Sequence, residues 1–204
     1  MPELGYPFFH NLCPAMGRKA VPYRLKKEDN FNIDLEHAAS LITEKTAFMF
    51  VINPANPMGT VFSKQHMQEI LAFADKHELP LVCDEVYYKM VFPGVEALSF
   101  GELTEDVPVI VCCGVEKVFS VPGWVQSWTI LFDKHGILNQ IKSNLEVIGT
   151  VFLHTNTFTQ FALVDIIKEY GIFTSNQMPA IQKNYEYLRE RVQVPLFPLR
   201  NTHA

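Results

Sequence analysis

Four apolar runs, each cut off abruptly by polar residues, constrain this chain more than any other feature. Ala47 to Ile52 ends at Asn53-Pro54, and Leu79 to Cys83 stops at Asp84-Glu85. Val107 to Val115 stops at Glu116-Lys117, and Trp128 to Phe132 follows a turn at Pro122-Gly123. Between the first two runs, Ser63 stands where a helix N-cap belongs, and Met67, Ile70, Leu71 and Ala74 recur at helical spacing to an end near His77. Strand, helix, strand at this spacing is a βαβ unit, which implies a parallel sheet with helices on its faces. The runs are continuous rather than alternating, as expected of strands covered on both sides. The reading is therefore α/β, a mainly parallel sheet flanked by helices.

From Gly136 onward the pattern turns helical, over about 136–148, 156–170 and 175–191, with Gly149 and Gly171 as stops. The segment Val194 to Ala204 holds two prolines and has no period. These features predict a sheet-bearing domain over 1–150 and a helical extension over 151–204. At 204 residues and 48% hydrophobic content, the chain can bury a sizeable core.

Charge and cysteine usage exclude several function classes. The net charge is −5 and no run of five like charges occurs, so no nucleic-acid footprint is expected. No window is long and apolar enough for a membrane-spanning helix, and MPELGYPFF lacks the form of a signal peptide. Cys13, Cys83, Cys112 and Cys113 show no Cys-x-x-Cys spacing. They read as reduced thiols of a cytoplasmic protein, with neither a disulfide framework nor a metal site.

In an open parallel sheet, ligands bind beyond the carboxyl ends of the strands. Asn53, Asn56, Asp84, Tyr87 and Lys117 all fall towards that one rim. Asn53-Pro-Ala-Asn-Pro57 with Gly59 is a rigid turn presenting two side-chain amides. Asp84 ends a buried strand, where a carboxylate wants a cationic partner. Lys117 follows an apolar strand, where a lysine gives up its proton more readily than on an open surface. Each also has a bland reading: a strand-to-loop turn, a helix cap or ion pair, and a surface lysine.

Taken jointly, Asn-Pro-x-Asn-Pro-x-Gly, then Asp-Glu-x-Tyr, then Lys117 followed by Val121-Pro-Gly-Trp124, resembles the fold type I pyridoxal-phosphate aminotransferases. The flanks Pro57 to Lys64 and Asp84 to Phe92, with Gly5-Tyr-Pro-Phe8 and Asn32-Ile-Asp-Leu35, look most like the tyrosine-using branch of that family. The resemblance runs from about residue 3 to 133. It implies that the sheet belongs to the family's large, cofactor-binding domain and that 151–204 leads towards an incomplete small domain. It also implies pyridoxal 5'-phosphate as cofactor, and an amino acid and a 2-oxo acid as substrates. Lys117 is implied as the catalytic lysine, which attacks the cofactor aldehyde as a neutral amine and then carries a proton. Asp84 is implied as the partner of the pyridine nitrogen. Tyr87 and Asn56 are implied as donors to the ring's phenolic oxygen. A homodimer, or pairing with a full-length subunit, is implied as the assembly.

Three departures stand beside the matches. Where the family has an arginine eight residues after the lysine to clamp the phosphate, this chain has Val125. The family's phosphate-binding turn and ring-stacking aromatic fall before Gly5. Its substrate-carboxylate arginine falls beyond Ala204, with Arg200 a weak stand-in. The resemblance therefore leaves an impaired aminotransferase, an inactive interaction or dimerisation module, and a pyridoxal-phosphate lyase of the same fold as alternatives. A nicotinamide-binding domain is excluded, because no Gly-x-Gly-x-x-Gly follows any strand.

Overall fold

Short apolar segments become the strands of one sheet: Met49–Ile52 is buried on both faces, while Leu81–Asp84 and Val109–Gly114 mix buried with half-buried residues. The computed structural model describes residues 1–151 and 156–192. In chain order it contains α1 (Phe8–Ala15), β1 (Leu25–Lys26), β2 (Asn32–Ile33), α2 (Leu35–Ser40), β3 (Met49–Ile52) and α3 (Lys64–Lys76). There follow β4 (Leu81–Asp84), α4 (Phe100–Leu103), β5 (Val109–Gly114), α5 (Val115–Val118) and β6 (Ser127–Phe132), then α6 (Asn139–Val151), α7 (Thr157–Lys168) and α8 (Tyr170–Arg191).

The sheet order is β3-β4-β5-β6. β3, β4 and β5 run parallel with Ile52, Asp84 and Cys112 in one row. β6 runs antiparallel to β5, from Gly114 opposite Ser127 to Val109 opposite Phe132. The α/β, mainly parallel expectation thus holds, with α3 as the crossover between β3 and β4. Ser63 caps α3 by accepting the His66 N–H at 3.2 Å, as expected for Ser at that place. The predicted face of α3, Met67, Ile70, Leu71 and Ala74, packs on Met49, Val51, Leu81, Cys83, Val109 and Val111. Each fully buried Leu, Ile or Met contributes about 1.5–3 kcal/mol relative to exposure.

The outer edge of β3 is covered by the amino-terminal segment. Phe9 packs on Phe50 with ring centroids 4.0 Å apart, and the Tyr23 hydroxyl donates to the Phe50 carbonyl at 2.7 Å. His66 ties β2 to α3: its Nε2 accepts the Ile33 N–H at 2.9 Å and its Nδ1 lies 3.0 Å from the Glu69 carboxylate. Gly101 in α4 lies directly against the Phe132 ring, where a Cβ could not fit.

The expectation of cover on both sides fails for β6. Ser127 to Ile130 are exposed, because β6 ends the sheet and pairs with β5 alone among the described residues. The helical extension also differs in its bounds. α6 continues through Gly149, and α8 runs from Tyr170 through Gly171 and Pro179, so neither glycine ends a helix. Gly149 and Gly171 have open space around them and helical backbone costs a glycine only about 1 kcal/mol, which neighbouring turns outweigh. α8 leans back on the rim: Phe173 packs on Phe119 at 5.4 Å and the Gln177 amide donates to the Ser120 hydroxyl at 2.6 Å. Among the described residues no helix is long and apolar enough to cross a membrane. The segment Val194 to Ala204, with Arg200, lies outside the described residues.

Candidate functional site

The parallel strands deliver their carboxyl ends to one rim, and side-chain alternation sorts what they deliver. Asp84 is the last residue of β4 and Glu85 the next, so the two carboxylates point to opposite faces. Asp84 is half-buried and its Oδ1 accepts the Val86 N–H at 3.2 Å. Burial raises its pKa, while the Val86 N–H and the positive charge of Lys117 pull it back down. Lys117 sits in the single turn of α5. Val115 and Val118 of that turn are buried with Phe119, against Met90, Leu163, Ile166 and Phe173, which leaves Lys117 on the outer face, exposed. The Asp84 carboxylate forms no direct ion pair with it, but lies within its field.

Asn56 and Tyr87 meet at a second place on the rim. Both line a cavity of about 340 Å³, whose apolar wall includes Val61, Met90, Phe92, Met178 and Ile181. Tyr87 is carried there by a turn in which the Tyr88 N–H donates to the Glu85 carbonyl at 2.8 Å. Of the four residues in the sequence-derived site, Asn56 and Tyr87 thus line one cavity, while Asp84 lies within the field of Lys117. Asp84 and Lys117 do not line the cavity.

Asn53 departs from expectation. Its amide is turned inward at 2% exposure, with Oδ1 accepting the Phe62 N–H at 2.9 Å and Nδ2 3.8 Å from the Met67 sulfur. It fastens the turn to α3 and presents nothing at the rim. A side chain that satisfies a buried backbone donor is not free to face a ligand.

The structure adds three polar residues that the sequence reading passed over. Glu85 is 1% exposed; its Oε1 accepts the Phe100 N–H at 2.9 Å and its Oε2 is buried without a partner. Burial pushes its pKa up to about 7. The signal was the alternation itself, since a residue next to a rim-facing Asp84 must face the core. Glu116 folds its carboxylate back over Gly114, into the space a Cβ there would take. Gln126 is 4% exposed and hydrogen-bonds the Thr159 hydroxyl, joining the start of β6 to α7. Val125, between Trp124 and Gln126, is 67% exposed and adopts left-handed backbone with φ +50°. Three of the thiols are unsuited to attack: burial raises Cys83 and Cys112 and pushes Cys113 up to about 12. Among the described residues no group of three or more His, Cys, Asp or Glu could hold a metal ion.

Comparison with known proteins gives this rim a context. The sequence profile described as aminotransferase class I and II matches residues 1–201. The chain is 36% identical over 186 residues to tyrosine aminotransferase of Homo sapiens, covering 90% of this chain and 41% of that protein. An S-alkyl-thiohydroximate lyase of Arabidopsis thaliana is 33% identical over 153 residues, 72% of this chain and 33% of the lyase. Among solved structures, an alanine aminotransferase from Pyrococcus furiosus superposes with a TM-score of 0.89 at 31% identity, over 94% of this chain and 48% of that one. The chain thus spans about two fifths of the length of the human relative, and about half of that structure.

Proposed function

The chain belongs to the class I and II aminotransferase family, and we propose that its rim is the lysine-bearing half of a pyridoxal-phosphate site for moving an amino group between an amino acid and a 2-oxo acid. The observation that carries this is one rim: Asp84 ends β4, Lys117 lies on the turn that follows the neighbouring strand β5, and Asn56 and Tyr87 line one cavity. The donor set suits a pyridine aldehyde: a carboxylate for the ring nitrogen, an amide and a phenol for the ring oxygen, and an amine for the aldehyde. When bound, the cofactor supplies the electron sink that loosens the bonds at the substrate's α-carbon.

In this reading Asp84 faces the ring nitrogen: burial raises its pKa, and the Val86 N–H and the Lys117 charge oppose that rise. Asn56 and Tyr87 orient the ring through hydrogen bonds at its oxygen. Lys117, on an outward-facing turn braced by two buried valines, holds a proton at Nζ and can move it to and from a carbon above the rim. The fit ends at the phosphate. The connection 115–126 has Lys117 as its sole cation, and Val125 offers no donor.

Aromatic amino acids are the proposed substrates, on the strength of the human relative. Residues 1–150 are proposed as part of the cofactor-binding domain and 151–204 as the approach to a second one, in a cytoplasmic protein. Assembly with a second subunit, as a homodimer or with a longer chain, is favoured by apolar side chains left open on three elements. Trp128 and Ile130 of β6, Ile141 and Leu145 of α6, and Phe158 and Phe161 of α7 are all exposed. The same surface favours the second reading, an inactive module that pairs with such a subunit. A lyase is the third, on the likeness to the Arabidopsis enzyme.

The test is to add pyridoxal phosphate to the purified chain, reduce with borohydride and map the modified lysine. One label per chain at Lys117, lost in Lys117→Ala, supports the site. Labelling scattered over many lysines, or undiminished uptake by Lys117→Ala, sinks it.

A further inference from the structure

We propose that the open edge of β6 is a joining strand: a second copy of this chain adds its own β6 to it, antiparallel, about a two-fold axis at Thr129. This rests on the assembly with a second subunit proposed above and deepens it by naming the strand that joins the copies. β5 and β6 are paired from Gly114 opposite Ser127 to Val109 opposite Phe132. The Val115 N–H bonds the Gln126 carbonyl at 3.0 Å, so Gly114 and Ser127 face each other without exchanging bonds. Bonded and unbonded pairs alternate along an antiparallel ladder. Trp128, Ile130 and Phe132 therefore direct their amides and carbonyls at β5, and those of Ser127, Thr129 and Leu131 point away from it. Among the described residues none of these outward groups bonds another segment.

At the other end of the sheet the edge is covered, with the Tyr23 hydroxyl on the Phe50 carbonyl and Phe9 against the Phe50 ring. A strand left at an edge is ordinarily blunted by a charged side chain, a proline or a bulge. Ser127 to Phe132 contains no charged residue, proline or glycine, and its register with β5 is unbroken. Its own copy is the partner these features fit, because an uncharged strand meets no like charge when paired with itself. Centred on Thr129, the antiparallel register sets Thr129 opposite Thr129 and Ser127 opposite Leu131, each pair exchanging both of its bonds. The same register sets Trp128 opposite Ile130 of the other copy, on one face of the joined sheet; in the single chain these side chains are 37% and 42% exposed. α7 begins beside this strand, where Gln126 hydrogen-bonds the Thr159 hydroxyl, and carries exposed Phe158 and Phe161. A two-fold axis uses each open edge once and closes at a dimer.

The experiment measures molar mass by light scattering and amide exchange residue by residue, on the full chain, dilute and concentrated. A monomer–dimer equilibrium is expected, in which the Ser127, Thr129 and Leu131 amides gain several-fold protection on concentration while those of Trp128 and Ile130 are protected throughout. Thr129→Lys sets two ammonium groups against each other across the axis and leaves the bonds to β5 in place. It is expected to give a monomer with an unchanged circular dichroism spectrum, whereas Thr129→Val keeps the dimer. A monomer at every concentration overturns the pairing together with the assembly. A dimer in which the three outward amides exchange as fast as in dilute protein, or one that Thr129→Lys leaves intact, overturns the pairing alone. So do assemblies that grow past a dimer. Reductive labelling at Lys117 is read independently of all these outcomes.

Discussion

Replacing Glu85 with glutamine removes the proton equilibrium of a carboxyl that is 1% exposed and titrates at about 7 rather than 4.5. Burial is the main cause; the Ser99 hydroxyl and Phe100 N–H oppose it, and the charges of Glu102 and Asp84 add to it. A raised acid binds its proton more tightly in the folded state. Its contribution is therefore fully present below 4.5 and is lost as pH rises through about 7. At about 1.4 kcal/mol per pH unit, that displacement corresponds to about 3 kcal/mol of stability. The amino terminus works in the opposite sense: burial lowers it from 8.0 to about 6, so its contribution is lost as pH falls. The wild-type curve mixes both, but the difference between wild type and Glu85→Gln isolates Glu85. Urea unfolding should find the two equal at about pH 5 and the variant more stable by about 2–3 kcal/mol at about pH 8. Glutamine keeps the acceptor for Phe100, so lost capping does not confuse the comparison. A difference that is constant with pH, or that favours wild type at the higher pH, refutes the reasoning.

Three further substitutions test the local arguments by chemical denaturation. Val125→Asn should stabilise by about 1 kcal/mol, because asparagine tolerates the left-handed backbone that a β-branched residue resists; no gain would mean the backbone there relaxes freely. Gly101→Ala should cost about 1–3 kcal/mol, since its methyl must displace the Phe132 ring; a neutral result would contradict the close packing of α4 under β6. Asn53→Leu should cost about 1–3 kcal/mol by stranding the Phe62 N–H in the core, while leaving reductive labelling at Lys117 intact. Loss of labelling in that variant at unchanged stability would return Asn53 to the rim.

Much of the sheet was legible because β3 is buried on both faces and β4 and β5 on one, so nothing competes with their apolar pattern. The cap at Ser63 and the buried face of α3 were legible for the same reason: one periodicity has one physical solution. β6 was legible as a strand but not as an edge, because the apolar sequence Trp128 to Phe132 does not say what lies beside it. The helix bounds at Gly149 and Gly171 were misread because a glycine stops a helix only where the chain also turns. At the site, the rim and its order along the chain were readable, whereas the inward turn of Asn53 depends on Phe62, nine residues away. The fold of Glu116 over Gly114 likewise depends on where Gln126 returns to the sheet.

The connection that bears Lys117 is held at both ends by one ladder. It leaves β5 at Gly114 and re-enters the sheet at Ser127, directly opposite, with the Val115 N–H bonded to the Gln126 carbonyl at 3.0 Å. Its outer post is thus β6, the least covered strand, whose amides are those most readily reached by solvent. Opening free energies in a native protein follow such cover, from near zero at frayed edges up to the global value in the core. The exchange protection of the Ser127 to Ile130 amides therefore reports how firmly the outer post of the Lys117 connection is held.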